Sequence, residues 1–238
     1  HLVKAKIVKL TESYFCKHAN DILAVSTDDQ RLFKEYYGCD SSLLPNGVDV
    51  DYFTPEEPDN GLLDKYDLKG RKVVLYFGAF DYQPNLEALG FLLKQWPKVC
   101  EQEPTARLLV IGRHPPEWAK NVQNVIVTGS VDDIVSHIRL ANIIVVPLMS
   151  GGGTRLKILE ALSCGQTVLS SPFGANGIPY NKEQKGLILS ELNDFMDDLL
   201  TILKKPPKPC SNIDSRKLAS NFEWNKLVCN INWENYVR

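Results

Sequence analysis

The stretch Lys72-Val-Val-Leu-Tyr-Phe-Gly78 decides the fold. Five apolar or aromatic residues follow one another without a polar break, and a glycine ends the run. A strand open to water on one face alternates apolar and polar residues. A continuous run fits a strand covered on both faces, as in a parallel sheet flanked by helices. The same signature recurs outward from it, in Arg107-Leu-Leu-Val-Ile-Gly112, Val125-Ile-Val-Thr-Gly129, Ile143-Ile-Val-Val-Pro147 and Thr167-Val-Leu-Ser170, with an earlier run at Ile22-Leu-Ala-Val-Ser26. Helical spacing fills the intervals. Asn85 to Cys100 carries Leu86, Leu89, Leu92, Leu93 and Trp96 on one side, and Asp132 to Ala141 and Thr154 to Cys164 repeat the pattern. A helix over Ser190–Leu203 is expected from the Ser at its start and Glu191 in its first turn. Strand and helix in alternation predict an α/β fold, a doubly wound and mostly parallel sheet.

The 238 residues suit one large domain, or one domain with part of a second. Apolar residues make up 44% and charged residues 24%, the balance of a globular chain that needs no staples to fold. A net charge of -2 gives no footprint for nucleic acid, and no apolar run reaches the roughly 18 residues of a membrane span. The six cysteines form no C-x-x-C pair, and no zinc-ligand spacing surrounds them. They are expected to be reduced and mostly buried, in a cytoplasmic protein. The four histidines are scattered and read as incidental. The chain opens at His1 in what reads as mid-domain helix, which suggests a fragment of a longer protein.

Two breaks organise the chain. Pro45-Asn-Gly-Val-Asp49, followed by Asp51-Tyr-Phe-Thr-Pro55 and an acidic run, reads as a linker over 46–60. Lys204-Lys-Pro-Pro-Lys-Pro209 is the second break, and two helices are expected after it. The last, over about Glu223–Tyr236, carries Trp224, Leu227, Ile231 and Trp233 on a face that needs a partner, for which the opening unit is a candidate.

Ligands of open parallel sheets bind at the carboxyl ends of the strands. Here those ends are Gly78, Gly112, Gly129 and the loop Met149 to Gly153. One such glycine can be a plain turn device; four make a floor where a ligand can approach backbone. The strongest element is Ser150-Gly-Gly-Gly-Thr-Arg-Leu-Lys-Ile-Leu-Glu160. Glycines leading into a helix offer free N–H groups and the positive end of the helix dipole, which suits a diphosphate. Arg155 and Lys157 fall in the first turn, where a helix prefers acids. They either point to solvent or face an anionic ligand. Glu160 is a surface carboxylate, part of an ion pair, or the acceptor for a vicinal diol such as ribose. No Walker pattern and no G-x-G-x-x-G follow the first strand, which argues against ATPase and dehydrogenase chemistry.

In order along the chain, Pro45-Asn-Gly-Val-Asp49, Phe77-Gly-Ala-Phe-Asp-Tyr-Gln-Pro-Asn85, Val127-Thr-Gly-Ser-Val-Asp-Asp133, Gly151-Gly-Gly-Thr-Arg-Leu-Lys-Ile-Leu-Glu-Ala161 and Gly174-Ala-Asn-Gly177 resemble the group 1 glycosyltransferases of GT-B fold. The resemblance covers nearly the whole chain. It implies the tail of an acceptor domain at 1–45, a linker at 46–60, a Rossmann-like donor domain at 61–205 and helices crossing back at 206–238. It further implies a nucleotide-diphosphate sugar as donor and a glycan, lipid-linked or polysaccharide acceptor. Glu160 would hold the ribose. Gly151, Gly152, Gly153 and Thr154, with Arg155 or Lys157, would face the diphosphate. Gly129, Ser130 and Val131 would flank the base, and Gly78 would admit the sugar phosphate.

Two departures stand out. The first acid of the family's Glu-x7-Glu pair falls on Gly152. The basic residues that follow the first donor-domain strand in many members fall near Ala79 and Pro84, leaving Arg155, Lys157 or Arg113 to supply the charge. Neither metal nor cofactor is expected, since the helix start and its cations can neutralise the leaving group themselves. The acceptor-side catalytic groups would lie in an N-terminal domain of the same chain, as would any peripheral membrane contact, so this chain is expected to bind donor without transferring sugar. An epimerase-like enzyme and a non-catalytic nucleotide-sugar-binding module are the alternatives.

Overall fold

The computed structural model describes residues 2–151, 155–183, 185–229 and 231, with side chains from residue 6 onward. The chain opens with α1 (Leu2–His18), β1 (Leu23–Ala24), α2 (Thr27–Tyr37) and β2 (Ser42–Leu43). β1 and β2 form a short parallel pair, so the run expected over Ile22–Ser26 shrinks to two residues. Then come α3 (Asn60–Lys65), β3 (Lys72–Phe77), α4 (Gln83–Gln102), β4 (Ala106–Ile111), β5 (Val125–Gly129), α5 (Ile134–Ile138), β6 (Ile143–Val146), α6 (Leu156–Ser163), β7 (Val168–Ser170), β8 (Leu187–Leu189), α7 (Phe195–Lys204), α8 (Ile213–Ala219) and α9 (Trp224–Cys229).

Among the described residues, β3 to β8 form one parallel sheet in the order β5-β4-β3-β6-β7-β8. Counted from β3 this is 3-2-1-4-5-6, the doubly wound order, and the direction of winding reverses between β3 and β6. The apolar runs are continuous because both sheet faces are covered. Val73 to Phe77 are buried without exception, as are Leu108 to Ile111 and Ile143 to Val146. On the helices, Leu89, Leu92, Trp96 and Val99 of α4 are buried on one side, and Leu199 and Leu203 of α7 likewise. Each such side chain contributes about 1.5–3 kcal/mol of burial.

Several sequence expectations need correction. Ser190 does not open a helix. Leu187–Leu189 is an edge strand, and the Ser190 N–H continues its ladder by donating to the Ser170 carbonyl at 3.0 Å. The helix starts five residues later, at Phe195 after Asp194. α6 begins at Leu156 with Arg155 as its N-cap residue, not at Thr154, which lies outside the described residues with Gly152 and Gly153. The last helix is described over Trp224–Cys229, and Trp233 lies outside the described residues. Of the cysteines only Cys164 is buried; Cys229 is exposed and the other four are half-buried. Cys16 and Cys39 are half-buried because they belong to the opening unit, where α1 exposes Ile7, Leu10, Tyr14 and Phe15.

The stretch read as a linker is closely held. Arg139 donates to the Thr54 carbonyl at 3.0 Å and pairs with Glu56 at 2.9 Å. Ser163 Oγ donates to the Phe53 carbonyl at 2.7 Å, and Arg216 of α8 donates to the carbonyls of Ser163 and Val50. Val48 bridges to the C-terminal stretch, with its N–H donating to the Phe222 carbonyl. The Trp224 ring lies against Gly47, where an added Cβ would come within 2.6 Å of it.

Candidate functional site

The winding reversal opens a crevice above the carboxyl ends of β3 and β6, and the sequence places its polar residues there. Gly78 ends β3, and the backbone crowds at this point. A Cβ on Gly112, which ends β4, would stand 1.7 Å from the Gly78 carbonyl oxygen. The Gly112 N–H donates to the Gly129 carbonyl at 2.9 Å, which ties the ends of β4 and β5. Gly129 has φ 76, a left-handed conformation that turns the chain sharply. Beyond these turns lies a cleft of about 220 Å³ lined by Gly78, Gly112, Arg113, Ser130, Val131 and Ile134, among others. Gly78, Arg113, Ser130 and Val131 therefore share one cavity. Arg113 stays exposed and pairs with Asp81 at 3.7 Å.

The second wall comes from α6. Neither of its leading cations points to solvent. Arg155 is only 8% exposed, with its guanidinium 5.4 Å from the centre of the Phe173 ring, a cation–π distance. Gly151, with φ 110, comes close beside Tyr82: a Cβ there would stand 2.7 Å from the Tyr82 hydroxyl and 3.3 Å from the Arg155 guanidinium. Lys157 turns inward. Its Nζ donates to Asn85 Oδ1 at 2.8 Å and lies 5.1 Å from the centre of the Tyr76 ring. A Cβ on Gly78 would meet this Nζ at 2.9 Å, so the ammonium flanks the end of β3.

The charges in this crevice are perturbed in an informative way. Burial, then the Arg155 charge, pulls Lys157 down to about 8, with Glu160 opposing. Burial raises Glu160, with Lys157 opposing. Burial disfavours each charge, and the two partly restore one another. A lysine poised to lose its proton and a carboxylate poised to gain one, three residues apart on one helix, mark a ligand site more readily than a surface ion pair.

Sequence reasoning missed Asn85, Tyr76, Tyr82 and Phe173 as site residues. Asn85 sits in the first turn of α4 just after Pro84, a place with no distinctive local pattern, and its partners come from β3 and α6.

Residues 71–205, more than half of the chain, match the family Glycosyl transferases group 1. The chain belongs to the group 1 glycosyl transferases. Among curated proteins this group 1 chain is similar to a phosphatidyl-myo-inositol mannosyltransferase of Mycobacterium tuberculosis, 31% identical over 160 residues. That match takes in 64% of the chain and 40% of the relative, so the chain spans well under two thirds of that protein. Among solved structures it resembles a glycosyltransferase from Rickettsia africae, with TM-score 0.73 and 18% identity over 94% of this chain and 65% of the other. It also resembles Anabaena HepE in complex with UDP and glucose, with TM-score 0.73 and 15% identity over 92% of this chain and 64% of the other. At such identities these two likenesses bear on the fold. They agree with the α/β parallel sheet and the GT-B resemblance read from the sequence. Among the described residues no helix is long and apolar enough to cross a membrane.

Proposed function

We propose that this chain is the donor-holding part of a glycosyltransferase and binds a nucleotide-diphosphate sugar across the carboxyl ends of β3 and β6. The observation that supports it best is the meeting of Lys157 with Gly78 at the winding reversal, with Glu160 one turn further along the same helix. In this reading Gly78 and Gly112 give the phosphates access to backbone, and Lys157 and Arg155 face the diphosphate. Glu160 accepts the ribose hydroxyls, and Gly129, Ser130 and Val131 flank the base. As the glycosidic bond breaks, negative charge builds on the leaving diphosphate. The fixed cations stabilise that charge at little reorganisation cost.

Residues 61–205 hold the donor, and 206–238 cross back toward the unit at 1–45. The acceptor-side groups come from a part of the enzyme outside this chain, which would close over the donor by a hinge motion. The tuberculosis relative is named for transfer of mannose to a phosphatidylinositol. That name supports a lipid-linked or glycan acceptor, and the HepE complex supports a nucleotide donor. The 238-residue chain alone is expected to bind donor and not to turn it over. A sugar-transfer assay giving full turnover on this chain alone would contradict that.

Calorimetric titration with UDP, GDP, ADP and their sugars tests the reading. One nucleotide should bind selectively, and Glu160→Ala should weaken it at least tenfold, about 1.4 kcal/mol. Selective binding that ignores this substitution would remove Glu160 from the site.

Binding should also depend on pH at the alkaline end. Lys157 titrates at about 8, so the free protein loses the cation as pH rises through that value, and affinity falls with it. A bound diphosphate holds the proton on Lys157, so binding near pH 8 should take up protons from solution. Calorimetry at pH 7, 8 and 9 in two buffers of different ionisation enthalpy reads both effects. An affinity unchanged from pH 7 to pH 9, with no proton uptake, would take Lys157 out of the diphosphate site.

A further inference from the structure

The inward turn of Lys157 needs a cause, because a lysine at a helix start would be better solvated outside. Asn85, 6% exposed, supplies one. Its Nδ2 donates to the Ala79 carbonyl at 2.8 Å, which orients the amide so that Oδ1, an acceptor, faces the ammonium. Its backbone carbonyl accepts the Tyr76 hydroxyl at 3.0 Å, and the Tyr76 ring flanks Nζ. The Asn85 amide nitrogen and the Lys157 ammonium both crowd Gly78. A Cβ there would fall 2.8 Å from Asn85 Nδ2 and 2.9 Å from Lys157 Nζ. The turn that follows β3, Gly78-Ala-Phe-Asp-Tyr82, carries no cation of its own.

We propose that Asn85 is a positioning residue that draws the Lys157 ammonium across the winding reversal, so that the cation at the end of β3 is supplied by α6 instead of by the turn after β3. The inference rests on the diphosphate-site reading above. Its chemical logic needs an amide at this position. A carboxylate could not donate to the Ala79 carbonyl, and an aliphatic side chain could neither orient nor accept. The charged groups that bear on Nζ are Arg155 and Glu160 from its own segment, while Tyr76 faces it from β3 with a hydroxyl that burial keeps protonated.

The test combines a double-substitution cycle with a titration that needs no ligand. UDP and GDP are the probes, and the whole 238-residue chain is used. Asn85→Leu and Lys157→Met should each weaken the preferred nucleotide at least tenfold. The double variant should be no weaker than the poorer single one, because both remove the same placed cation. In nucleotide-free protein, the ¹³Cε resonance of Lys157 should titrate at least one pH unit higher in Asn85→Asp than in the parent, since a carboxylate then replaces the amide beside Nζ. A misfolded chain would also release Lys157 toward 10.5, so the shift counts only where Asn85→Asp keeps the parent's near-ultraviolet circular dichroism and cooperative unfolding. Additive losses, or a Lys157 titration indifferent to Asn85→Asp, would overturn the proposal. If the resonance moves but the parent binds neither nucleotide, the contact stands and the donor-site reading fails.

Discussion

Gly112→Ala should be among the most damaging single substitutions in this chain, costing about 3–5 kcal/mol of stability from overpacking and backbone strain together. The alanine Cβ would lie 1.7 Å from the Gly78 carbonyl oxygen and 2.7 Å from its carbonyl carbon. Both are backbone atoms in paired strands, so they cannot swing aside as a flexible side chain would. The residue also sits at φ 152, where an L side chain is strained. Relief requires β3 and β4 to separate at their carboxyl ends, where Gly78 and Gly112 line the candidate phosphate cleft. Nucleotide binding should therefore fall together with stability. Gly90→Ala is the matched control. Gly90 lies within α4, and a Cβ there meets nothing within 4 Å. It should stabilise the chain by about 0.5–1 kcal/mol through helix propensity. Chemical denaturation of the two variants beside the parent reads both values. A Gly112→Ala variant as stable as the parent would mean that the two strand ends are not packed as described.

The contrast between these glycines shows what the sequence makes legible. A glycine after an unbroken apolar run announces a strand end, because the run's continuity already implies a sheet covered on both faces. β3 and β4 could be read in this way to within a residue, and β6 from its unbroken run and the proline that ends it. β8 could not. Three residues at a sheet edge carry too little pattern, and Ser190 with Glu191 imitates a helix start when its N–H in fact extends the ladder. The site divides along similar lines. Lys157 and Glu160 share a helix that follows a glycine run, so both could be singled out from the local sequence. Asn85 lies 72 residues from Lys157, and only the adjacency of β3 and β6 brings them together. Nothing local to either residue encodes that contact. Nor could sequence alone decide whether Arg155 and Lys157 faced water or a ligand. That depended on Phe173 and Tyr76, which the fold brings in from elsewhere in the chain.

Lys157→Met should move stability and binding in opposite directions. The ammonium is held in a site that burial makes unfavourable, and its pKa is depressed from 10.5 to about 8. Between those values the unfolded chain binds more protons than the folded one, so stability rises with pH across that window. Below it, the charged form costs the fold its full penalty. Methionine has similar length and no charge, and it removes that penalty at neutral pH. Because Lys157 is partly exposed and keeps its hydrogen bond to Asn85, the expected gain is only about 1–2 kcal/mol. The same substitution deletes the cation at the end of β3. Loss of a charge-assisted bond to a phosphate costs about 1.5–3 kcal/mol, so nucleotide affinity should fall roughly 10- to 150-fold. Thermal denaturation at pH 7 and at pH 10, with calorimetric titration at pH 7, reads the prediction. The stabilisation should be present at pH 7 and largely gone by pH 10, where the native lysine is already neutral. A residue kept for packing alone would behave in the reverse way, losing stability on substitution and leaving affinity untouched. That result would show that the ammonium serves the fold and that the diphosphate charge is met elsewhere in the crevice.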